Sequence, residues 1–352
     1  MTTPLVEIEI GLVSQFVLDP MHLVFLGVVR TLLYLWLKGP LSVRLCSVKK
    51  TLISDKIVEI AKYMPAEFAR KPPLDELERF KATEFRSFLL YSGPIALENV
   101  LDHNIYKNFI LLTCAITLLS RNDIENVTFS RQYLLTFVTH YAKLYGECNV
   151  VYNVHNLIHL SDDASRYGTI DKFSAFPFES KLGFIKKLVR QPNLPLQQVI
   201  NRIAEKEANE QNLLNNNYCK FYPILKKPHF DGPLLNDQHY SQFRELYLET
   251  FCLKLTQSDS GAMIKNDVCA VKNILSSDNN QIHVVYKVFK DKRDLFDYPT
   301  KSSELGIYKI PAGSIDNNLK SCSLDAIKCK YVLINLKNYI YAIPLLHTCH
   351  PQ

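Results

Sequence analysis

The sequence lacks the short motifs that identify several classes of enzyme. It has no glycine-rich phosphate-binding loop, and it has no Gly-x-Ser-x-Gly pentapeptide. These absences give no support to nucleotide hydrolysis or to serine-hydrolase chemistry. Its nine cysteines are odd in number and scattered, with no Cys-x-x-Cys pair. This pattern predicts reduced thiols in a cytoplasmic or nuclear setting.

Signals for export and for membrane insertion are also missing. The first residues, MTTPLVEIEIGLVSQ, contain no basic region that leads into an apolar core, so we expect no signal peptide. The longest apolar run, residues 23–37, is too short to span a bilayer and carries Arg30 in its middle. We therefore expect no membrane partner.

Positive charge is concentrated in one part of the chain. At 352 residues and 47% apolar content, the chain has room for two or three packed domains. Residues 181–228 contain nine Lys and Arg against three acids, which accounts for the whole net charge of +6. Such an excess suits a polyanionic partner, although solubility alone would also explain it. The cations predicted to bind nucleic acid are Lys181, Lys186, Lys187, Arg190, Arg202, Lys226 and Lys227.

The first helix is predicted to begin near Asp19 and to end before Gly39. Asp19 can cap the helix, and Pro20 suits its first position. The residues that follow leave hardly any polar side, which predicts burial on nearly all faces. His22 lies three residues after Asp19, so the two side chains can touch, either as a cap or as part of a site.

Helical patterns dominate the sequence up to about residue 217. Between about 40 and 148 no stretch alternates like a strand, so this part is predicted to be all-helical. A loop that mixes aromatic residues with cations is predicted at 221–228. The predicted helices after the first are 47–64, 82–91, 94–101, 106–120, 130–145, 153–166, 195–217 and 240–251, together with one centred on residue 182.

From about Gly261 the pattern changes to short β-rich runs separated by turn residues. Five such runs in about 85 residues predict a small barrel-like domain appended to the helical body, and therefore an α+β protein. The runs are 263–275, 281–289, 304–310, 327–336 and 339–345.

The helix around residue 182 has two distinct faces. One is an apolar stripe and the other offers a carboxylate, a glycine and two cations in line. The second face can hold a divalent metal at one end and phosphates at the other, or it can be an ordinary solvated face favoured by the helix dipole. The apolar stripe is Phe178, Leu182, Ile185 and Val189, and the other face is Glu179, Gly183, Lys186 and Arg190.

Two histidines also have the spacing of metal ligands. His155 and His159 lie four residues apart, on one face of a predicted helix. The glutamate that a zinc protease carries beside the first histidine is absent, so a third ligand has to come from elsewhere, with Asp162 or Asp163 nearby. The alternative is that both are core histidines.

Three blocks of the sequence resemble the transposases of the CACTA (En/Spm-like) group, in their animal forms. The blocks are LDPMHLVFLGVVRTLLYLWLKGP at 18–40, RFKATEFRSFLLYSGPIAL at 79–97 and YNVHNLIHLSDDASRYGTIDKFSAFPFESKLGFIKKLVRQPNLPLQQVINRI at 152–203. The resemblance implies a DDE-type DNA transposase with an RNase H-like core interrupted by a helical insertion. In such enzymes three acids hold two divalent ions, Mg²⁺ or Mn²⁺, that drive polynucleotidyl transfer.

The resemblance also implies roles for individual residues. The Asp-x-x-His motif of the wider superfamily falls on Asp19 and His22, and the closing catalytic glutamate falls on Glu179, which would also be a metal ligand. The first two catalytic acids belong upstream of Asp19, yet none of the 18 preceding residues is aspartate. We therefore expect a truncated remnant that binds no metal productively and is inactive by itself.

This interpretation divides the chain into four segments. They are a core remnant at 1–40, a helical insertion at 41–150, the region of the last catalytic helix with the basic segment at 151–255, and a β-rich domain at 256–352. The expected partner is DNA, with a possible homo-oligomer, no small-molecule substrate, and a nuclear location. The alternative function is a non-catalytic interaction protein that binds nucleic acid or another protein.

Overall fold

A computed structural model describes residues 7, 15–68, 73–121, 124–215, 222–235 and 240–346. The described helices precede residue 216, apart from short 3-10 turns, and the described strands follow residue 223. The chain divides into two compact units, a main unit within residues 1–173 and 223–352 and a second unit within 174–222. The second unit, called the hairpin unit below, contains two helices in its described residues and is treated by itself. The predicted α+β class is confirmed.

Helix α1 spans Met21–Lys38, and its first half, Met21–Val29, has π-type hydrogen bonds. Asp19 caps this helix as predicted, because its carboxylate accepts hydrogen bonds from the backbone N–H of Met21 and of His22, each at 3.1 Å. The carboxylate also contacts the Nδ1 atom of His22, as the sequence predicts. Many residues of α1 are buried, including Trp36 near its end, which is 1% exposed.

By length and composition, α1 is the one helix in the described parts of the chain that could cross a membrane. However, 56% of that stretch is buried inside the protein. A helix in the core of a soluble protein meets the same two criteria, so they are weak evidence for a span.

Most of the predicted helices are present within a few residues of their expected ends. Helix α3 continues through a π-type turn, Phe88–Ser92, into the short α4. Helix α5 is the centre of the bundle, since every residue from Asn108 to Leu119 is buried. The remaining helices are α2 Ser47–Ala61, α3 Ala82–Ser87, α4 Gly93–Ala96, α5 His103–Leu119, α6 Ile124–Tyr145, α7 Tyr152–Tyr167, α8 Phe176–Leu188 and α9 Pro195–Asn215.

Close contacts join these helices. The Asn108 side chain donates to the backbone carbonyl of Phe137 at 3.0 Å, which connects α5 to α6. Gly27 of α1 lies against α7, where a Cβ atom would come within 2.8 Å of the Asn153 amide nitrogen. A side chain larger than hydrogen at position 27 would therefore displace the Asn153 side chain and crowd the backbone carbonyl of His22.

The described residues contain ten strands, which form one antiparallel sheet with the order β1-β2-β5-β4-β9-β10-β7. Strand β3 pairs with β2, and β6 pairs with both β5 and β8. Isolated antiparallel bridges also join Arg293, in the segment after β6, to Lys309 of β7, and Phe289 to Ile315, so the described pairings lead from β7 back to the segment after β6. The barrel-like arrangement of this domain stays a prediction. The strands are β1 Ile224–His229, β2 Ser241–Tyr247, β3 Cys252–Lys254, β4 Gly261–Ile264, β5 Asp267–Ser276, β6 Ile282–Val288, β7 Tyr308–Pro311, β8 Lys320–Ser323, β9 Ile327–Leu336 and β10 Tyr339–Pro344.

Two predictions about the start of the β region are wrong. Residues 241–247 form strand β2, where a helix was expected, because Gln242, Glu245 and Leu246 are buried between strands that pair on both of its edges. Residues 224–229 form β1, where a loop was expected. The β region therefore begins about 35 residues earlier than the change of pattern at Gly261 indicates.

The predicted core remnant at 1–40 is represented in the described residues by α1. No strand precedes Ile224 in the parts of the chain that the structure describes.

Candidate nucleic-acid interface

The hairpin unit presents most of the cations that the sequence assigns to nucleic-acid binding. Helices α8 and α9 are joined by a turn, and Gln198 fixes its shape. The Gln198 side-chain oxygen accepts from the backbone N–H of Arg190 at 3.0 Å and of Gln191 at 3.2 Å. Its amide group donates to the carbonyls of Gln191 at 2.9 Å and of Asn193 at 2.6 Å. The turn therefore holds Arg190 beside the start of α9.

The cations of this unit are accessible. Lys186, Lys187 and Arg190 are exposed, and none forms an ion pair with a carboxylate in the described ranges. Lys181 is exposed as well, and its ammonium lies 5.3 Å from the centroid of the Phe184 ring. Arg202 is half-buried and also has no carboxylate partner among the described residues. Unpaired cations interact with an external polyanion without first breaking an internal ion pair.

Lys226 and Lys227 are engaged within the sheet. The Lys227 ammonium lies 2.6 Å from the carboxylate of Glu245 on β2, whose side chain is 7% exposed. The Lys226 ammonium lies 4.6 Å from the ring centroid of Tyr247. These two lysines therefore stabilise the β1–β2 pair, which makes them less available to a phosphate than the cations of the hairpin unit.

Glu179 occupies the first turn of α8 and is exposed. The described residues of its own unit form helices and contain no strand. Glu179 belongs to no group of three described His, Cys, Asp or Glu side chains close enough to share a metal. The described donor set at Glu179 therefore does not fit a Mg²⁺ or Mn²⁺ site of the kind that the resemblance implies. Gly183, one turn later, has open space where a Cβ atom would be.

The apolar stripe of α8 is covered only in part, since Ile185 and Val189 are half-buried while Phe178 and Leu182 are exposed. No residue of α8 is buried. Phe178 and Leu182 are 70% and 59% exposed, and Leu196 and Ile200 of α9 are similarly exposed at 72% and 56%. The hairpin unit therefore presents both cations and apolar side chains at its surface.

Asp19 and His22 lie near a third polar residue that the sequence did not connect with them. The carboxylate of Asp163 on α7 accepts a hydrogen bond from the backbone N–H of Leu18 at 2.9 Å, and Asp163 is 6% exposed. Asp163 thereby holds the segment before α1 against α7. The contacts described for Asp19 and His22 are those of a helix cap.

The two histidines of α7 are not core residues. His155 and His159 are both exposed, and their rings meet edge to face with 5.7 Å between centroids. They share no metal-binding group with a third ligand in the described part of the chain. Asp162 instead forms an ion pair with Arg131, and Asp163 binds the backbone of Leu18. The core interpretation is therefore wrong, and the described residues leave the zinc interpretation without a third ligand.

A buried ionic cluster joins the segment after α2 to the sheet, and sequence reasoning missed it. The Lys330 ammonium donates to the two carboxylate oxygens of Glu67 at 2.9 and 2.7 Å and to one oxygen of Asp259 at 2.6 Å. Lys330 is fully buried. Glu67, Cys252 and Asp259 have the proximity of metal ligands, but the Lys330 ammonium already supplies their cation.

The neighbours of Asp259 determine the direction of its pKa shift. Burial by itself would raise the pKa of the Asp259 carboxyl group, but the charge and hydrogen bond of Lys330, with hydrogen bonds from the Ala66 backbone and the Ser258 side chain, together lower that pKa. The Cys252 thiol remains protonated at neutral pH, since burial raises its pKa to about 11. The cluster therefore consists of an ammonium and carboxylates with a neutral thiol beside them, which is typical of a structural ion cluster.

Comparison with known proteins gives a match over the C-terminal part of the chain. Residues 228–345, which cover almost the whole sheet, match a family described as a domain of unknown function (DUF8592). No curated protein and no solved structure matches the chain.

Proposed function

We propose that this chain derives from a transposable element and represents the C-terminal portion of a cut-and-paste, DDE-type DNA transposase. In this proposal it binds DNA through the hairpin unit and has no catalytic activity by itself. The support from sequence is the order and spacing of the three CACTA-like blocks at 18–40, 79–97 and 152–203. A nuclear location and descent of residues 1–40 and of α8 from an RNase H-like core belong to the same proposal.

The single observation that carries DNA binding is the exposed, unpaired state of Lys186, Lys187 and Arg190 around the end of α8. Several cations of the main unit are instead neutralised locally, as in the Lys330 cluster and in the pair formed by Arg86 and Asp171. Phosphate contacts of this kind release counterions and carry no base specificity. We therefore infer binding that depends steeply on salt and weakly on sequence.

A triple variant tests this binding. We expect Lys186→Ala, Lys187→Ala and Arg190→Ala together to weaken binding to unrelated DNA duplexes by about the same factor, about tenfold or more at low salt. The slope of log affinity against log salt should fall by about 2 to 3, since up to three phosphate contacts are removed. Fluorescence anisotropy at several salt concentrations measures both quantities.

The matched control removes the same charge from the main unit. Arg44, Lys49 and Lys301 are exposed and form no ion pair within the described ranges, so their triple alanine variant should bind as the parent does. Equal losses in both triple variants would mean that net charge alone drives binding. Absence of salt-dependent binding by the parent protein would contradict the proposal and favour the alternative of a protein-binding interaction module.

The absence of catalysis has its own test. In this proposal the chain lacks two of the three acids that hold the metal pair. Supercoiled plasmid incubated with the protein and Mg²⁺ or Mn²⁺ should therefore remain uncut. Agarose gel electrophoresis measures nicking with high sensitivity. Cleavage that disappears in Glu179→Ala would overturn the inactive assignment, whereas cleavage that persists in this variant indicates a contaminating nuclease.

A further inference from the structure

The sheet contains a cavity of about 420 Å³ that opens to solvent. Its walls include Phe289 and Leu333, which belong to a buried apolar cluster of the sheet, and Ile340, which packs against that cluster. A cavity of several hundred Å³ with apolar walls lies within the size range of small-molecule sites, roughly 300 to 1,000 Å³. This cavity is distinct from the ionic cluster of Lys330 and belongs to the main unit alone.

Polar side chains without internal partners also line this cavity. The side chains of Gln257, Ser260 and Asn335 form no hydrogen bond with any residue in the described ranges. Amide groups have both donors and acceptors to offer. Side chains that converge on a cavity and are not used by the fold are what a ligand site requires for orientation and specificity.

Lys272 is the charged residue that lines the cavity. It is the extra residue of a β-bulge, since Val271 pairs with Tyr286 and Asn273 pairs with Val285, and no partner lies between them. Bulges re-aim side chains and recur beside functional sites. A lysine in mid-strand, without a carboxylate partner in the described ranges, leaves the cavity with one uncompensated positive charge.

The electrostatics around Lys272 favour an anion. Lys272 is exposed, yet desolvation by the surrounding protein lowers the pKa of its ammonium group, and the nearby positive charge of Lys287 lowers it further. Both effects act against the charged form of Lys272, and a bound anion would relieve them. An anionic group beside Lys272 is therefore stabilised by the ammonium of Lys272.

We propose that this cavity binds a nucleoside monophosphate or a ligand of the same chemical class, a planar heterocycle that carries a phosphate. The phosphate would pair with Lys272, the heterocycle edge would bond to the Gln257 and Asn335 amides, and the apolar walls would contact the ring. A fatty acid would leave the amides unpaired, and inorganic phosphate would leave the apolar walls unused. This site goes beyond the proposed function and departs from the expectation of no small-molecule ligand.

The test titrates AMP, adenosine and inorganic phosphate into the full chain, with isothermal calorimetry for affinity and amide chemical shifts for location. We expect saturable AMP binding that shifts amides of β5, β6 and β9. Lys272→Ala should weaken AMP binding by about tenfold or more, while the binding of adenosine changes little. Asn335→Leu, which keeps the volume but removes the amide, should weaken both ligands.

Two controls separate this site from DNA binding. Lys301→Ala removes an exposed lysine of the same region that does not line the cavity, and it should leave AMP affinity unchanged. The triple variant of the hairpin unit should also bind AMP as the parent does, whatever its effect on DNA. Absence of saturable AMP binding, equal affinity for AMP and inorganic phosphate, or equal losses in Lys272→Ala and Lys301→Ala would each overturn the proposal.

Discussion

Replacement of Lys330 by methionine is expected to lower the free energy of unfolding by about 3 to 5 kcal/mol. The variant keeps a long side chain but removes the cation that Glu67 and Asp259 share. Both carboxylates would then be buried without a counter-charge, a situation that is costly in the low-dielectric interior. Urea denaturation monitored by circular dichroism measures the change.

Two comparisons isolate this effect. Lys328→Met changes an exposed lysine on the same strand and should alter stability by less than about 0.5 kcal/mol. The combination of Lys330→Met with Glu67→Gln and Asp259→Asn should recover part of the loss, because no unpaired charge remains. A loss in Lys330→Met as small as that in Lys328→Met would show that the cluster contributes nothing to stability.

The pH dependence of the free energy of unfolding offers an independent measure of what the Lys330 cluster contributes to stability. Because the folded-state pKa of Asp259 is lowered, its ionic contribution is fully present above the ordinary carboxyl range and is lost as the pH falls through the folded-state pKa. Replacement of Lys330 removes the largest of the effects that lower this pKa. The penalty of the methionine variant should therefore shrink when stability is measured at increasingly acidic pH.

The helical part was predictable because its signals are local. Apolar periodicity, the Asp19 cap and the Gly39–Pro40 stop belong to single segments and need no information about distant residues. Prediction from the sequence failed where the pairing partners lie far apart along the chain. Strand β2 carries charged residues that look solvated, yet Glu245 is buried because Lys227 on β1 neutralises it. Neither residue alone indicates this outcome.

The candidate sites show the same limit. The cluster of Lys330 depends on Glu67, which lies 263 positions away in the chain. The only local signal is a lysine that directly precedes the apolar run 331–334 of a predicted strand. The cavity at Lys272 depends on a bulge, which arises from pairing with β6 and leaves no mark in the alternation of β5. By contrast, the basic segment was visible because charge density is a local property.

Replacement of Trp36 by alanine is the second substitution with a large expected effect. Trp36 is 1% exposed, its indole N–H donates to the Tyr145 hydroxyl at 2.9 Å, and its ring meets Phe109 edge to face at 5.9 Å. It thus joins α1 to α5 and α6. We expect a loss of about 3 to 5 kcal/mol in the free energy of unfolding, because the substitution opens a cavity and leaves a buried hydroxyl without its donor.

A smaller substitution at position 36 separates the contribution of ring packing from that of the hydrogen bond. Trp36→Phe keeps most of the ring contact and loses the hydrogen bond, so about 1 to 3 kcal/mol should be lost, and Tyr145→Phe in the same background should add little more. Tyr152→Ala, at a position that is 71% exposed, should change stability by less than about 0.5 kcal/mol. A Trp36→Ala variant as stable as Tyr152→Ala would contradict the role of Trp36 in the bundle.

The Trp36 variant also bears on the apolar character of α1. If α1 packs in the core of the protein in aqueous solution, removal of its largest side chain must lower the cooperative unfolding transition of the whole main unit. If α1 instead resided in a bilayer, the same substitution would leave unfolding of the detached sheet unchanged. A shift of the unfolding midpoint by Trp36→Ala, recorded by the far-ultraviolet signals of helix and strand together, therefore separates a core helix from a membrane span, which length and composition do not.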